Sequence, residues 1–571
     1  MGSREIITLQ IGHYSNFVGT HWWNIQESSF NYDPTKALEE KEVNHDILWR
    51  EGASLKILHS NMGEITFTPR LIAFDLKGSL KTLKQEGILY DLNSQEEVKW
   101  GGDVNLHQSV PVPKNQYLQD LAAKENTVLV PEDTDQGEGD DIPDDISAKE
   151  EEVFGRKLYD LDNSVNVWSD FLKVHIHPKS LHIINEYTKD SEIDKFDIFG
   201  CGKSVLSNYE TRSEMEDRIH FFTEECDSLQ GFHILMDTFD GFGGLGAGLL
   251  EYLRDEFDTK SLMTFGLTPA DLPDSTPHER ANRILNSAIT YNSCSTYSSL
   301  FTPLSLASTL WKKMGPLVTF PYLDYKSIPY HTSSILAASL DTMSLPYRST
   351  GHMDLRDLTD SLNSLGKKVA SLNAALPFPM IGNGQVVQSI LSLEDNLPWS
   401  SLTPHVTNQS NPFMQSVVSR GITDLKLKSP LPYSKTPNEY SSCYSVDDVL
   451  QRYLETKFQS TFSARSVCRL HLDVLPPFPN IFSRNIDSNG FLSPVLRHLK
   501  QGVDRIPVMT SLQSSPDIHQ LTQTLHAEAS KLNIKKHSAY IEAGLEEDNY
   551  LEILQELSDL DSCYVNKMES L

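Results

Sequence analysis

Hydrophobic residues along the chain fall into short continuous runs, separated by longer segments of mixed, helix-like periodicity. The apolar run at 4–12 predicts a buried strand that Gly12 ends, and a helix should follow it. A second strand is predicted at 67–80, and a further run at 232–236 leads through a glycine-rich stretch and a helix-like segment to another strand at 261–269. Strands that alternate with helices in this way indicate a parallel α/β sheet.

The second half of the chain shows mainly helical patterns, with one predicted strand near 375–380. The segments with helical periodicity are 275–315, 333–343, 353–365, 517–532 and 550–564. A Pro/Ser-rich stretch at 395–440 predicts a loop. Trp22 and Trp23 follow a helix-like segment, and we predict that they lie in a core rather than anchor a partner.

The length and charge of the chain narrow the classes of protein to which it can belong. With 571 residues it should form about two or three domains. Its formal net charge of −29 argues against general nucleic-acid binding, which requires a basic surface. The same charge argues against electrostatic docking on anionic lipid. A folded, soluble protein without a nucleic-acid partner is therefore expected.

One segment, 131–152, is strongly acidic. It holds 11 acidic residues and one lysine, a net charge of −10 (1 − 11), and it contains no aromatic residue. Such a segment cannot bury enough apolar surface to offset its ordering entropy, so we predict a disordered insertion. Two interpretations stay open: a solvated linker, or a segment that binds a basic partner.

Cysteine usage and hydropathy suggest a protein of the cytosol. The six cysteines are scattered without a C-x-x-C pair, which favours reduced thiols over a disulfide framework or a structural zinc site. No apolar run reaches the roughly 18 residues that a transmembrane helix needs. Any membrane association should therefore be peripheral.

Three motifs suggest chemistry that the surrounding sequence does not support. The segment 200–205 ends like a phosphate-binding P-loop, but Asp197 stands where that motif requires glycine. His175, His177 and His182 lie close together without a further ligand at metal spacing, so we predict no metal site. A G-x-G-x-x-G pattern in 237–248 is weak evidence alone, because two strand-and-loop units precede it.

Five blocks, in chain order, resemble the corresponding blocks of tubulins. They are REIITLQIGHYSNFVGTHWW, TPRLIAFDLKGSL, CDSLQGFHILMDTFDGFGGLGAGLLEYLRDEF, YHTSSILAASLDTMSLPYR with the MDLRDL that follows, and the C-terminal stretch from TSLQSSPDIHQ to DLDSCY. The blocks GHYSNFVGTHWW and LQGFHILMDTFDGFGGLGA resemble, more narrowly, the divergent tubulin-like Misato family.

The resemblance implies an α/β, tubulin-like fold with three parts. A Rossmann-type, parallel-sheet domain of the nucleotide-binding type would span 1–325 and carry the acidic insertion. An α/β intermediate domain with the Pro/Ser-rich loop would span 326–510, and a C-terminal helical hairpin would span 511–571.

The resemblance also implies a degenerate GTP site. The matching positions, with no catalytic residue and no metal ligand among them, are Gly12, His13, Asp75, Gly241, Gly243, Gly244, Gly246 and Gly248. No cofactor is certain, and GTP or GDP is the candidate. The alternative is that the glycines are kept for packing between helix and strand.

Several residues depart from the tubulin pattern at this site. Leu245 and Ala247 stand at positions of hydroxyl side chains, Phe17 replaces a glutamine, and Lys77 reverses a charge near the metal position. The segment 166–170 is the candidate remnant of a further phosphate loop, without its glycine. Leu245, Ala247 and Phe17 remove polar contacts that a nucleotide would need, whereas it stays open whether Lys77 pairs with a phosphate instead.

Hydrolysis in tubulins needs an acidic residue that a neighbouring subunit supplies. One alignment offers Asp354 or Asp357 for that role, and the other puts Ala370 there. Polymer-coupled hydrolysis is therefore not the favoured expectation, and the chain is predicted to be no enzyme.

The functional expectation comes from the Misato resemblance alone. It implies a non-catalytic regulator of mitochondrial distribution and morphology that supports mitochondrial fusion and network formation. Such a protein would be cytoplasmic and lie peripherally at the mitochondrial outer membrane, bound to outer-membrane-associated proteins, with the cytosolic chaperonin or tubulin as further candidate partners. The alternatives are a GTP-binding, polymerising tubulin-like GTPase and a spindle or tubulin-folding accessory factor.

Overall fold

The computed structural model describes most of the chain. The described residues are 4–30, 42–53, 65–83, 113–128, 157–272, 276–349, 353–382, 384–427, 440, 442–498 and 500–565. The acidic segment 131–152, predicted to be a disordered insertion, lies outside them.

Strands and helices alternate through the first half of the chain, as the sequence predicts. The strands are β1 Ile6–Ile11, β2 Trp49–Ala53, β3 Ile65–Pro69, β4 Leu71–Lys77, β5 Leu181–Thr188, β6 Gly231–Asp237, β7 Ser261–Leu267, β8 Leu300–Leu304, β9 Ser371–Ala375, β10 Ser400–Ser401, β11 Met414–Arg420, β12 Phe462–Cys468, β13 Leu472–Asp473, β14 Arg505–Ile506 and β15 Val508–Ser514. The helices are α1 His13–Ser28, α2 Gln116–Val128, α3 Phe199–Ser207, α4 Tyr209–Glu224, α5 Gly241–Glu256, α6 Pro277–Tyr297, α7 Pro329–Met343, α8 Leu345–Arg348, α9 Leu355–Leu362, α10 Val386–Leu391, α11 Val446–Lys457, α12 Ile518–Ala529, α13 Ser538–Glu542 and α14 Glu547–Tyr564.

The larger sheet is wholly parallel and has the order β5-β4-β1-β6-β7-β8. Counted along the chain, its strands therefore lie in the order third, second, first, fourth, fifth, sixth, which is that of a Rossmann sheet. The strand order reverses between β1 and β6, and ligands of such sheets bind beside the carboxyl ends of the strands at that reversal. The prediction of a parallel α/β sheet is confirmed.

The second sheet is mixed and has the order β10-β9-β15-β11-β12. Strand β15 pairs antiparallel with β9 and β11, while β12 pairs in parallel with β11. Helix α7 is buried along its whole length and contacts α1 on one side and strands β11 and β15 on the other. One hydrophobic core consequently runs from the first sheet through α7 into the second sheet, and it includes Trp22, Ile335, Leu372 and Leu512.

Two predicted elements are wrong. The segment 303–311, predicted as helical, begins within strand β8, whose five residues are all buried at the edge of the parallel sheet. Short apolar runs of this length do not distinguish a strand from a helix by periodicity. The segment 395–440, predicted as a loop, contains β10 and β11, and β11 lies between two partner strands.

The C-terminal helices pair as predicted, with the short α13 between them. His519 Nδ1 and Thr522 Oγ1 of α12 lie 2.6 and 2.7 Å from Asp561 Oδ1 of α14. Tyr564 donates its hydroxyl to the carbonyl of Val369, at 2.9 Å, and so attaches the end of α14 to the chain beside β9.

Candidate functional site

The predicted first loop lies at the carboxyl end of β1, at the reversal of strand order. Gly12 adopts a φ of 117°, and a Cβ placed there would lie 2.4 Å from Oδ2 of Asp237 at the end of β6. No other residue type fits this position without displacing that carboxylate. Gly12 therefore permits β1 and β6 to bring their ends together.

Asp237 caps the N-terminus of α1. Its carboxylate accepts the backbone N–H of Tyr14 at 2.9 Å and that of Ser15 at 2.8 Å, and it also accepts the Ser15 hydroxyl at 2.6 Å. A helix N-terminus attracts anions because its first N–H groups lack partners within the helix. At α1 the carboxyl group of Asp237 takes the place of such an anion.

Asp75, at the end of β4, is held by three side chains. Trp168 Nε1 donates to its carboxylate at 2.8 Å, Asn16 Nδ2 donates at 3.1 Å, and His13 Nδ1 lies 3.3 Å away. Lys189 Nζ lies 2.6 Å from His13 Nε2. An ammonium can only donate, so His13 Nε2 accepts and Nδ1 carries the proton toward Asp75. The structure thus brings the predicted residues His13 and Asp75 together.

The glycine-rich stretch is part of α5 and not a loop. Asp240 is the N-cap of this helix, and its carboxylate accepts the N–H of Phe242 at 2.9 Å. The N–H of Gly241 donates to the carbonyl of Phe196 at 3.1 Å, and that of Gly243 donates to the carbonyl of Asp240 at 3.2 Å. The first three amides of α5 therefore have acceptors within the chain.

The glycines of α5 lie against neighbouring backbone and side chains. A Cβ added at Gly241 would lie 2.8 Å from the Phe196 ring, one at Gly243 2.3 Å from Thr290 Oγ1, and one at Gly244 1.9 Å from the Phe199 carbonyl oxygen. A Cβ added at Gly246 would lie 2.3 Å from Met236 Cε, and one at Gly248 would lie 2.3 Å from Leu206 Cδ1. On α3, Gly202 faces the carbonyl oxygen of Gly241 in the same way, at 2.1 Å. Helices α3 and α5 thus pack with their backbones in near contact. Side chains at these positions would prevent that contact, as expected if the glycines are kept for packing.

The structure shows where the residues that depart from the tubulin pattern lie. Leu245 and Ala247 point into the core, in the second turn of α5, rather than toward the helix N-terminus. Phe17 is buried beside the ring of Phe171, with 5.5 Å between centroids. Lys77 is exposed at the end of β4.

Negative charge dominates the carboxyl ends of β1, β4 and β6. Burial, with a smaller contribution from the charge of Asp75, raises the pKa of Asp237 to about 7. Burial and the charge of Asp237 raise the pKa of Asp240 well above its ordinary value. Burial opposes the ionisation of Asp75, but its contacts with His13, Leu76 and Trp168 outweigh that effect and lower its pKa.

These residues do not fit a tubulin-type triphosphate. The helix amides that would bind phosphate oxygens at α1 and α5 already bind Asp237, Asp240 and Phe196. Phosphate groups would add negative charge beside Asp75, Asp237 and Asp240. The chemistry available at this edge of the sheet is that of internal helix caps.

The two candidates for the acid that a neighbouring subunit would supply also cap a helix. Asp354 is the N-cap of α9 and forms an ion pair with Arg4. Its backbone N–H donates to Asp357 Oδ2 at 3.1 Å, which closes a capping box. Ala370, the residue in the other alignment, is fully buried beside β9.

Sequence reasoning missed Asn286, a buried residue of α6. Its Oδ1 accepts the N–H of Phe199 at 2.8 Å and the hydroxyl of Tyr540 at 2.7 Å. Its Nδ2 donates to the carbonyls of Asp197 and Phe239, at 2.8 and 2.9 Å. Asn286 thereby joins the loops before α3 and α5 to the C-terminal region. Its helix face also carries the buried polar residues Asn282 and Thr290, so the sequence gave no separate signal for Asn286.

A second missed cluster joins the two sheets through α7. The buried Asp341 carboxylate accepts hydrogen bonds from Arg348 Nη1 at 2.6 Å and from Trp22 Nε1 at 3.1 Å, and it forms an ion pair with Arg420 of β11. Trp22 and Trp23 are buried, as predicted, with their rings stacked at 5.5 Å.

Neither a metal centre nor a membrane helix emerges from the part of the chain that the structure describes. Its His, Cys, Asp and Glu side chains form no group of three or more that could hold a metal ion. None of its helices is long and apolar enough to cross a membrane.

Known sequences match the chain from end to end. The Misato Segment II tubulin-like domain matches residues 4–123, and the Tubulin domain matches 160–349. Protein misato homolog 1 of Danio rerio is 36% identical over 582 residues, which cover 98% of this chain and 97% of that protein. The chain belongs to the Misato family.

Other Misato proteins are similar over the same span. Protein misato homolog 1 of Homo sapiens is 36% identical, with 99% of this chain and 98% of that protein covered. Protein misato of Drosophila melanogaster is 30% identical, with 99% of each covered. The predicted tubulin-like fold is thus confirmed, and the chain is a tubulin-like protein of the Misato family.

Proposed function

We propose that this Misato-family chain is a non-catalytic, tubulin-like regulator of mitochondrial distribution and morphology that supports fusion and network formation. It acts in the cytoplasm and peripherally at the mitochondrial outer membrane, through outer-membrane-associated proteins. The mitochondrial part of this proposal rests on the resemblance to the Misato family described above.

The non-catalytic part rests on one observation. Carboxylates of the chain itself, Asp237 and Asp240, cap the two helices whose N-termini would otherwise bind phosphates. A protein whose own carboxyl groups occupy these positions keeps the Rossmann order of strands as a scaffold. Gly12, Gly241, Gly243, Gly244, Gly246 and Gly248 would then serve packing, with His13 and Asp75 as a structural hydrogen-bonded pair.

The purified full chain separates this proposal from the polymerising GTPase. Guanine nucleotide released on denaturation, GTP turnover and light scattering with added GTP and Mg²⁺ would be measured, with a tubulin preparation as positive control. We expect no stoichiometric nucleotide, no turnover and no assembly. Turnover that rises with concentration-dependent scattering would overturn the proposal.

The cellular role needs its own experiment. Cells depleted of the chain should show a changed distribution and shape of the mitochondrial network, and re-expression of the full chain should restore both. If depletion instead alters the spindle, and the chain co-purifies with chaperonin or tubulin and never fractionates with mitochondria, the tubulin-folding or spindle alternative is correct.

A further inference from the structure

Strand β12 lies at one edge of the second sheet. It pairs in parallel with β11 over its full length, Phe462–Cys468, and among the described residues no strand pairs with its other side. The opposite edge strand, β10, has only two residues. Natural edge strands are usually short, bulged or interrupted by proline, because a long regular edge can pair with another chain. The seven residues of β12 include no proline, and their register with β11 is unbroken.

The hydrogen bonds of β12 show which of its backbone groups face away from the sheet. The N–H of Phe462 donates to the carbonyl of Phe413 at 3.3 Å, and the carbonyl of Cys468 accepts the N–H of Gly421 at 3.0 Å. Alternate residues of β12 therefore bind β11, and the residues between them direct their N–H and C=O groups outward. These outward residues are Ser463, Arg465 and Val467. Within the part of the chain that the structure describes, their six backbone groups form no hydrogen bond.

A side chain already occupies the next position along this edge. Two residues beyond Val467, the N–H of Arg469 donates to Glu42 Oε2 at 2.8 Å, and the N–H of Leu470 donates to the same oxygen at 3.2 Å. The Glu42 carboxylate thus takes the place that a carbonyl group of an added strand would take. The unpaired edge consequently runs from Ser463 to Val467, a length that a short extended segment can cover.

Open space follows the unpaired edge between β12 and helix α11. One cavity, of about 420 Å³, is lined by Ser463, Arg465 and Leu454, among others. A second, of about 550 Å³, is lined by Arg465, Val467 and Asp447, among others. Because Arg465 lines both, the two cavities adjoin along the strand. We call this space the β12 groove.

The β12 groove is acidic. Its ionisable side chains are two arginines and four carboxylates, a net charge of −2 (2 − 4), and they are Arg465, Arg469, Glu42, Asp424, Asp447 and Glu455. The whole chain carries a net charge of −29, so a basic segment is attracted and an acidic one is repelled. A second copy of the chain is a poor occupant. An antiparallel pair of β12 strands that used all three outward residues would place Arg465 opposite Arg465 of the other copy.

We propose that the edge of β12 binds an extended, basic segment of a partner polypeptide as an additional strand of the second sheet. The outward groups of Ser463, Arg465 and Val467 supply its main-chain hydrogen bonds. Alternate side chains of the segment enter the β12 groove, an apolar one beside Leu454 and basic ones beside Asp447. Such binding would not depend on the mitochondrial role proposed above, since it requires neither the strand ends of the parallel sheet nor a membrane.

Peptide selection against the purified full chain tests the β12 groove. A phage-displayed library of random linear peptides would be the probe, and the selected sequences would be synthesised and titrated by fluorescence anisotropy. We expect sequences with a net positive charge, whose binding weakens at high salt. Hydrogen exchange of the peptide-bound chain should show up to three additional protected amides within 462–468, those of Ser463, Arg465 and Val467.

Proline at position 463 tests the main-chain bonds. Ser463→Pro removes an N–H that points away from β11, so the pairing between the two strands is kept. Peptide binding should weaken about fivefold or more, the factor expected from losing one main-chain hydrogen bond. Ser463→Ala loses the same side-chain contact with Gln415 Nε2 but keeps the N–H, so it should bind like the wild type. Circular dichroism and thermal melting would establish that each variant is folded.

A bulky side chain in the groove gives a second test. Glu455 lines the first cavity from an exposed position on α11, so Glu455→Trp would fill that space and should weaken peptide binding about tenfold or more. Arg452→Trp is the matched control, because Arg452 is exposed on the same helix and lines neither cavity. It should bind like the wild type. If Ser463→Pro fails to fold, the comparison of the two tryptophan variants decides.

Four results would overturn the proposal. The first is that no selected peptide binds the wild-type chain, and the second is that folded Ser463→Pro binds the peptides as tightly as Ser463→Ala does. The third is a selected set with a net negative charge. The fourth is a concentration-dependent dimer, seen by light scattering, that Ser463→Pro abolishes, because a second copy would then occupy the edge. None of these results bears on the nucleotide assays or on rescue of mitochondrial morphology, so the proposed function would fail or stand separately.

Discussion

Asp237 accepts two hydrogen bonds from Ser15, one from its backbone N–H at 2.8 Å and one from its hydroxyl at 2.6 Å. These bonds join the end of β6 to the start of α1, across the point where the strand order of the parallel sheet reverses. A ligand of a Rossmann sheet would lie at this point. In this chain the Asp237 carboxyl group occupies that point, and its effect on the stability of the protein can be measured as a function of pH.

The first prediction concerns pH. Burial raises the pKa of Asp237 to about 7, so the folded protein holds a proton there that an unfolded carboxyl releases near its ordinary pKa. Between those two values the native state binds more protons, and its stability therefore falls as the pH rises from about 4 to about 7. Asp237→Asn should remove that part of the fall, by up to about 1.4 kcal/mol per pH unit.

Urea denaturation at a series of pH values between 4 and 8 would give the free energy of unfolding of both proteins. The stability of Asp237→Asn relative to the wild type should rise across this range. Asp240→Asn should shift in the same direction, because the pKa of Asp240 is also raised. A difference between wild type and variant that is constant with pH would contradict this account.

The second prediction concerns the purpose of the glycines in α5. Alanine favours a helix over glycine by about 1 kcal/mol, yet Gly244→Ala would place its Cβ 1.9 Å from the Phe199 carbonyl oxygen. Because backbone cannot move aside as a side chain does, we expect the free energy of unfolding to fall by about 3 kcal/mol or more. Thermal melting and urea denaturation without nucleotide would measure the loss.

Gly52→Ala is the control, since a Cβ there meets nothing within 4 Å, and it should change stability by less than about 0.5 kcal/mol. If Gly244 were kept instead for a nucleotide, Gly244→Ala would fold normally and lose only ligand binding.

The sequence predicted the strands that carry the site better than the side-chain contacts that cap the helices there. The apolar run ending in Gly12 located the end of β1 correctly, because buried parallel strands are nearly continuous in hydrophobicity. The single strand predicted at 67–80 is instead the end of β3 followed by β4, which ends at Lys77. The cap that Asp237 provides for α1 could not be predicted, since a side-chain contact across 222 residues leaves no local pattern. The N-cap at Asp240 is local, because its carboxylate accepts the N–H of Phe242, and it was missed. Strand β11 was missed because its polar residues Gln415, Ser416 and Ser419 resemble those of a loop, and only the neighbouring strands bury them.

The third prediction concerns Asn286. Asn286→Ala would leave the N–H of Phe199 without its acceptor and the carbonyls of Asp197 and Phe239 without their donor in a buried region. The Tyr540 hydroxyl would lose Asn286 and keep the carbonyl of Asn282, 3.1 Å away. Each unsatisfied group costs about 1–3 kcal/mol, so a loss of about 2–5 kcal/mol is expected. Limited proteolysis should show earlier cleavage around α13, because Tyr540 would lose this attachment.

Tyr540→Phe removes only the hydroxyl, with its contacts to Asn286 and Asn282, and should cost about 1 kcal/mol. Asn549→Ala, at an exposed position beyond α13, serves as the matched asparagine control and should be neutral. Equal protease sensitivity of Asn286→Ala and Asn549→Ala would show that Asn286 does not join these parts.

The fourth prediction concerns the charge cluster between the two sheets. Burial opposes the ionisation of Asp341, but Arg348 and Arg420 outweigh it and lower the pKa of its carboxyl. Asp341→Ala would leave two buried guanidinium groups without their counterion, which costs about 3–5 kcal/mol. The exposed Asp360→Ala, which breaks the surface pair with Arg356, should cost less than about 1 kcal/mol.

The sign of the pH effect distinguishes Asp341 from Asp237. A lowered pKa stabilises the native state above the ordinary carboxyl pKa, and that stabilisation is lost as the pH falls toward the folded value. The stability of Asp341→Asn should therefore approach that of the wild type below about pH 4. In the same range Asp237→Asn should lose the gain in stability over the wild type that it shows at higher pH. If the urea titrations are extended below pH 4, the two variants should show slopes of opposite sign in different ranges: Asp341→Asn below about pH 4, and Asp237→Asn between about pH 4 and 7. That result would establish that Asp341 links the sheets by ionic contact and that Asp237 closes the site despite its burial. Parallel slopes would show that burial affects both alike and would contradict the assignment of Asp341 to an ionic link.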